Sequence, residues 1–288
     1  MRIICKDLSF SYSRNKKDKE YALKNLNLTI EEGEFFGIIG QTGSGKSTFI
    51  QHLNALYTLQ EGELLVGEYD LDPKKKGYKK MLKALRSKVG MVFQYPEYQL
   101  FADSVYADVA FGVKNFFPEL SDKEVTMRVG DALTAVGLNY SEVKDASPFD
   151  LSGGQKRRVA IAGVLATSPE ILVLDEPVAG LDPIGKKELM ALLKNQLTGN
   201  RTIIIVSHDM DEVCENCTRV AAFSDGELLK CGTPEQVFTG DLEQKRLLLP
   251  LTAKIKNSLK KEGVNLSCSL KTDDLIDEIT RVYKSGNF

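Results

Sequence analysis

The stretch from Gly33 to Ile50 constrains this chain more than any other. It reads Gly-Glu-Phe-Phe-Gly-Ile-Ile-Gly-Gln-Thr-Gly-Ser-Gly-Lys-Ser-Thr-Phe-Ile. The apolar run Phe35, Phe36, Ile38, Ile39 fits a buried parallel strand, Gly40 to Ser47 matches G-x-x-x-x-G-K-[ST], and Thr48, Phe49, Ile50 and Leu53 open a helical pattern. That is a phosphate-binding loop between a strand and a helix. Gly40, Gly43 and Gly45 take backbone angles closed to other residues. Consecutive N–H groups along Gly40, Gln41, Thr42, Gly43, Ser44, Gly45, Lys46, Ser47 and Thr48 are therefore expected to turn inward around β- and γ-phosphate oxygens at a helix N-terminus. Lys46 adds a point charge, and Ser47 offers a hydroxyl to Mg²⁺. The loop predicts a nucleotide without specifying the reaction.

Length and charge narrow the rest. A chain of 288 residues suits one large α/β domain with an appendage, or two domains. Thirty-eight basic against 40 acidic residues give a formal charge of −2, which carries no electrostatic footprint for nucleic acid. Ile203–Val206 and Ile171–Leu174 are among the longest apolar runs and fall far short of a membrane span. Charges interrupt the first residues, Met1-Arg2-Ile3-Ile4-Cys5-Lys6-Asp7, where a signal peptide would be apolar, so the chain itself is expected in the cytosol. Five cysteines without regular spacing fit reduced thiols. Cys214 and Cys217 make a tempting pair, but zinc needs four ligands and no second pair follows, so helix packing is the expectation.

Taken in order, Ile3 to Tyr12 reads as a strand and Leu26 to Ile30 as a half-exposed second one, together a small antiparallel sheet over the nucleotide loop. Tyr12, at its tip, is placed to stack on an adenine ring. Glu63–Val66 is a short strand, Lys79–Leu85 a basic helical turn, and Val89–Phe93 a buried strand ending at Gln94, beyond which Pro96 stops it. Val105, Val109, Val113 and Phe116, then Val125, Val129, Ala132, Leu133 and Val136, recur at helical spacing and predict a helical lobe, about 95–168. The helix from Lys156 to Thr167 turns almost wholly apolar beyond Val159 and is expected to be buried along its length. Ile171 to Leu174 and Thr202 to Val206 are apolar runs of central parallel strands, which puts Asp175, Glu176 and His208 at the strand ends where α/β folds bind ligands. Leu251, Ile255, Leu259 and later Leu275, Ile276, Ile279, Val282 predict two helices in an appendage over 241–288.

Transfer of a γ-phosphoryl group needs charge neutralisation, a positioned water and a base. Asp175 suits Mg²⁺, directly or through water, and Glu176 is placed to take a proton from the attacking water. His208, one of only two histidines, can donate to the γ-phosphate, and Gln94 can contact Mg²⁺ or water and so sense that phosphate.

With these residues assembled, the chain resembles an ATP-binding-cassette ATPase over residues 1 to about 240. The most specific match is Leu151-Ser152-Gly153-Gly154-Gln155, the signature of that family. The resemblance implies an α/β fold with a parallel-sheet core, a small antiparallel β subdomain and a helical signature subdomain. It also implies a head-to-tail dimer in which Ser152, Gly153, Gly154 and Gln155 cap the ATP held by a partner's phosphate loop. Tyr12 then matches the adenine-stacking aromatic, Gln94 the Q-loop, Ala179-Gly180-Leu181-Asp182 the D-loop and His208 the switch histidine, with ATP and Mg²⁺ as ligands. No catalytic position departs from the pattern, so both sites are expected to hydrolyse.

Within that family, Phe93 to Phe101, Asp108 to Gly112 and Ala160 to Ala166 look like the ATPases of energy-coupling factor importers, which take up vitamins or cobalt and nickel ions. Ser147-Pro148-Phe149-Asp150 is similar to the second of the two paralogous ATPases. The implied partners are a second ATPase subunit, a paralogue or a second copy, a transmembrane coupling subunit and a substrate-capturing membrane subunit, with the chain peripheral at the cytoplasmic face. The segment Gln94 to Asp103 is expected to receive a coupling helix whose arginine pairs with Glu97 or Asp103, and the appendage to pair with its counterpart across the dimer. Two other readings compete. Asn15-Lys16-Lys17-Asp18 and Asp182-Pro183-Ile184-Gly185 satisfy N-K-x-D and D-x-x-G of a permuted GTPase, but neither follows a buried strand. A soluble cassette protein of repair or translation would bring coiled coils or a second cassette.

Overall fold

The computed structural model describes residues 1–13, 20–238 and 248–284. Asn15–Asp18 and the expected boundary near 240 lie outside the described residues. The chain opens with β1 (Ile3–Phe10), β2 (Leu23–Ile30), β3 (Phe35–Gly40), α1 (Lys46–Leu53), β4 (Glu61–Val66), β5 (Tyr69–Asp70), α2 (Tyr78–Lys88) and β6 (Val89–Val92). A 3-10 turn at Pro96–Gln99 leads to α3 (Val105–Phe116), α4 (Asp122–Ala135), α5 (Tyr140–Val143) and α6 (Gly153–Leu165). Next come β7 (Ile171–Asp175), α7 (Pro183–Asn195), β8 (Thr202–Val206), α8 (Met210–Asn216), β9 (Arg219–Ser224), β10 (Glu227–Gly232) and α9 (Pro234–Val237). Two helices, α10 (Leu251–Lys261) and α11 (Thr272–Lys284), follow.

Six strands form the main sheet in the order β10-β9-β3-β8-β7-β6, with β3, the strand feeding the phosphate loop, between β8 and β9. All neighbours are parallel except β9 and β10. The four-residue apolar runs are buried on both faces, as such runs require. In β3, Phe35 and Ile39 face one core while Phe36 and Ile38 face the other; in β7, Leu172 and Leu174 divide from Ile171 and Val173 in the same way. The second sheet, β2-β1-β4-β5, is antiparallel and shares the core beneath α1.

Several helices begin where a side chain satisfies their first amides. Ser121 and Glu124 form a reciprocal box at α4, and Asp182 caps α7 by accepting from the Gly185 amide at 2.8 Å, which gives the D-x-x-G tetrad a plain structural use. The first strand stops at Phe10 instead of Tyr12 because Gln60 takes over the pairing: Ser11 N donates to Gln60 Oε1 at 3.1 Å and Gln60 Nε2 donates to Ser11 O at 2.9 Å. Two other expectations need correcting. One flank of α6 (Ala160, Gly163, Val164) is only half-buried, because no element among the described residues covers it fully. The appendage is also less independent than its pattern suggests. Leu249, Ala253 and Leu270 join the main core, and Asp211 and Glu215 of α8 accept from the first amides of α10 (Leu251, 2.6 Å) and α11 (Thr272, 3.2 Å). Leu251, Ile276 and Tyr283 stay exposed. Cys214 and Cys217 are buried, and burial pushes the Cys214 thiol up to about 12.

Candidate nucleotide site

The loop between β3 and α1 needs glycine where the second sheet presses on it. Gly45 has φ +98°, and a Cβ there would lie 2.5 Å from the Ala22 carbonyl oxygen. The Lys46 ammonium donates to Gly40 O at 2.8 Å and Gln41 O at 2.7 Å, so this 8% exposed cation is satisfied by its own loop. Burial pushes its pKa down, opposed by the charges of Glu176 and Asp175. The Ser44 hydroxyl is buried beside it without a partner among the described residues.

Asp175 ends β7 and Glu176 follows it, as the strand pattern predicts. The Asp175 carboxyl is pushed up by burial and by Glu176; the Ser47 hydroxyl bonded to it and Lys46 act the other way. Ser47 and Asp175 are hard oxygen donors of the type Mg²⁺ takes. Among the described residues no group of three His, Cys, Asp or Glu side chains is set to hold a metal.

Glu176 sits in the left-handed region at φ 51°, uncommon for a residue with a side chain, and its amide donates to Val206 O at 2.9 Å. This turn aims the carboxylate sideways across the sheet, where Oε2 meets His208 Nδ1 at 2.7 Å. The glutamate side chain is 13% exposed and the histidine 73%, so the pair has a fixed inner member and an outer member open to solvent.

Tyr12 stands at the other end of the cleft. Its hydroxyl meets Thr48 Oγ1 at 2.7 Å, and its ring is held edge-on against Phe10 and Tyr57, at 5.2 and 5.5 Å between centroids. The ring remains 58% exposed, which leaves a face open to a base. Beneath it His52 is buried, with Nδ1 at 2.7 Å from Thr48 O; burial lowers its pKa, so the ring is neutral and Nδ1 is the donor. The cleft from Tyr12 to His208 has a volume of about 900 Å³ and includes Gln94, an exposed residue at the end of β6. Met210 and Leu248 also line it. Sequence reasoning missed both, since neither belongs to a phosphate-binding pattern.

Ser152, Gly153, Gly154 and Gln155 are not in this cleft. Ser152 caps α6 and exchanges hydrogen bonds with Gln155, Gln155 N to Ser152 Oγ at 3.3 Å and Ser152 N to Gln155 Oε1 at 3.0 Å. A Cβ on Gly153 or Gly154 would meet nothing within 4 Å. The structure therefore gathers the phosphate loop, Asp175, Glu176, His208, Gln94 and Tyr12 in one place and leaves the signature on an open face.

Arg157 is a further residue that the sequence reading overlooked. It is 5% exposed and forks to Glu97 (Nε–Oε2 3.3 Å, Nη2–Oε1 3.2 Å), while Nη1 donates to Pro177 O at 3.2 Å and Ala179 O at 2.7 Å. The signature helix is thus tied to the turn after Gln94 and to the segment after Glu176. The clue was its spacing: 157, 161 and 165 share one helical face with buried apolar residues. This contact also corrects the expectation for Glu97, whose carboxylate is spent within the chain. The apolar surface expected nearby is present as a groove of about 420 Å³ between α2, α3 and the open flank of α6. Phe101 and Phe111 stand exposed on it, edge to face at 4.9 Å.

Comparison with known proteins agrees with this geometry. A family profile described as ABC transporter matches residues 23–179. The energy-coupling factor transporter ATP-binding protein EcfA2 of Clostridium tetani is 45% identical over 289 residues, covering 99% of this chain and 98% of that protein. The protein of the same name from Latilactobacillus sakei is 46% identical over 266 residues, covering 91% and 90%. Among solved structures, cbiO1 of Clostridium perfringens, part of the ABC transporter complex cbiONQ, superposes with a TM-score of 0.73 at 39% identity, covering 88% of this chain and 98% of that one. The dimeric cassette MJ0796 bound to ADP and Pi gives 0.71 at 30% identity, covering 81% and 98%.

Proposed function

Because the chain belongs to the ABC transporter family and is an ATP-binding, ATP-hydrolysing subunit of the energy-coupling factor type, we propose that its cleft works on ATP with Mg²⁺, in a dimer, to energise uptake of a vitamin or other micronutrient. The observation that carries this reading is the convergence of Lys46, Ser47, Asp175, Glu176, His208 and Tyr12 on one cleft while the signature residues stay open.

In this proposal Tyr12 stacks on adenine, and the amides from Gly43 to Thr48 receive the phosphates. Lys46 leaves the carbonyls of Gly40 and Gln41 for the β- and γ-phosphate oxygens. Ser47 and Asp175, with Gln94, would hold Mg²⁺, which would supply charge neutralisation when bound. Glu176 accepts the proton of the attacking water, and His208, kept beside it at 2.7 Å, turns its exposed edge to the γ-phosphate. The cleft alone lacks a cover on the γ-phosphate side. Ser152 to Gln155 of a second ATPase subunit, at the N-terminus of its α6, provide that cover, and the D-loop segment 179–182 lies along the same interface.

We assign residues 1–240 to the cassette and 241–288 to a helical region that pairs across the dimer through Ile276 and Tyr283; truncation at Gly240 should weaken nucleotide-free dimerisation. The groove beside Phe101 and Phe111 receives a coupling helix of a membrane subunit. Among the described residues no helix is long and apolar enough to cross a membrane. Asp103, exposed and at the groove's edge in sequence, replaces Glu97 as the partner for an arginine of that helix. Arg157 passes the movement on, since it holds the turn beside the groove and the carbonyls beside the catalytic glutamate in one network. The test is Tyr98→Asp with Phe111→Asp, two exposed positions outside the cleft. ATP turnover of the isolated chain should stay within twofold, whereas co-purification with membrane subunits and substrate uptake should be lost. Normal uptake would place the docking surface elsewhere.

A further inference from the structure

The groove wall formed by α2 continues into a surface that ATP chemistry does not use. From Pro73 to Lys88 the chain carries eight lysines and arginines in 16 residues and no acid, within a molecule of net charge −2. Part of this charge is spent internally. Lys75 pairs with Asp70, Lys88 with Glu170 at 2.7 Å, and Arg86 donates to the carbonyls of Asn54 and Ala55. Lys76, Lys79, Lys80 and Lys83 are exposed, and none has an acidic partner among the described residues.

The packing of α2 fixes where they point. Leu85 is buried, and Met81 and Leu82 pack half-buried on the core, so the opposite face is held outward. Lys79, Lys83 and Arg86 fall at i, i+4 and i+7, one stripe along the helix, and Arg86 at its end lines the groove with Leu56, Phe101 and Phe111. The stripe thus runs outward from the groove rim.

Helix stability does not explain this arrangement. Like charges four apart weaken a helix, and cations near an N-terminus oppose the macrodipole. The first turn of α2 holds no acid, and Gly77 caps it without a side chain. A cationic face that works against its own helix, and that is continuous with the groove, fits an anionic surface lying beside the docked partner.

We propose that Lys76, Lys79, Lys80 and Lys83, on the face of α2 that runs outward from the groove rim, bind anionic phospholipid headgroups of the bilayer next to the coupling subunit. The proposal rests on the groove reading, because a membrane subunit in the groove is what brings α2 to the bilayer. Each lysine near an anionic membrane adds a similar increment of attraction, so several weak contacts sum to a useful anchor without any apolar insertion. Because these charges are solvated, the attraction is screened by salt.

The experiment uses the full chain and vesicles free of other proteins, made of phosphatidylcholine alone or with about one third phosphatidylglycerol. Wild type should partition onto the anionic vesicles, not the neutral ones, and should be released when salt rises from about 0.1 to about 0.5 M. Lys79→Gln/Lys80→Gln/Lys83→Gln should lower partitioning on the order of a hundredfold, with melting temperature and solution ATP turnover close to wild type. Absence of wild-type binding, equal binding to both vesicles, or a triple variant that binds like wild type would overturn the proposal. So would equally tight, equally salt-sensitive binding to a short DNA duplex, which would mark a general polyanion surface. The groove reading fails separately: Phe111→Asp should leave vesicle binding intact and abolish capture of the membrane subunit, and if capture survives, the groove assignment falls whatever the vesicles show.

Discussion

The nucleotide cleft and the signature face differ in how they are satisfied. In the cleft every charge already has a use: Lys46 caps two carbonyls, Ser47 holds Asp175, and His208 meets Glu176. On the signature face, Ser152 and Gln155 only cap their own helix, and open space lies beyond Gly153 and Gly154. One region is complete as a structure and needs only substrate. The other is a helix N-terminus facing open space, the arrangement that the proposed cover over a second subunit's ATP requires. The contrast sets a cleft furnished for a nucleotide against a helix start that faces open space.

Arg157 joins the two regions, and its removal should have the largest effect. Arg157→Met leaves Glu97 half-buried and unpaired, and should destabilise the chain by about 3–5 kcal/mol in chemical denaturation. Adding Glu97→Gln should recover part of that loss, and strictly additive effects would show that the two do not act as a pair. Glu176→Gln sharpens the cleft side of the comparison. Hydrolysis should fall by about two orders of magnitude or more while ATP binding persists, and turnover within about threefold of wild type would remove Glu176 from the role of base.

Asp175→Asn tests whether the cleft sets function against stability. Burial raises the Asp175 pKa, so ionisation costs the fold stability as pH rises through that raised value. At neutral pH the asparagine variant should melt no lower than wild type without nucleotide. The rise in melting temperature with ATP and Mg²⁺, about 2.7 kcal/mol of stabilisation at a hundredfold excess over Kd, should disappear. The smallest effect belongs to the appendage. Glu278 accepts from the Cys268 side chain and from the Ser267 and Cys268 amides, which lowers its pKa from 4.5 to about 2. A lowered carboxylate pKa contributes stability that is present above 4.5 and lost as pH falls toward about 2. Glu278→Gln should therefore flatten the acid limb of the stability curve over that interval, and an unchanged limb would mean the contact is not kept in solution.

The two regions also differ in how far the sequence revealed them. Strands ending in Gly40, Asp175 and Val206 were legible because burial on both faces demands consecutive apolar residues and the functional groups follow at once. The signature could be recognised but not placed, since nothing in its own pattern says which face of the molecule it will occupy. Arg157 escaped because its place on an apolar helical face says that it is buried, but not that it serves carbonyls 20 and 22 residues away. The open flank of α6 was misjudged because apolar residues in a helix look alike whether or not a neighbouring element covers them. Strands β9 and β10 gave no signal strong enough to be read, although β9 is what holds the loop strand on its second side.

The central claim is that this signature closes over ATP held by another subunit, and ATP-dependent assembly tests it most directly. In the Glu176→Gln background, ATP with Mg²⁺ should convert the chain, alone or with the second ATPase it purifies with, into a stable dimer by sedimentation. Adding Gly154→Asp, which places a carboxylate in the open space before α6, should return the mixture to single subunits while each still binds ATP. A dimer that forms equally well with Gly154→Asp would contradict the account.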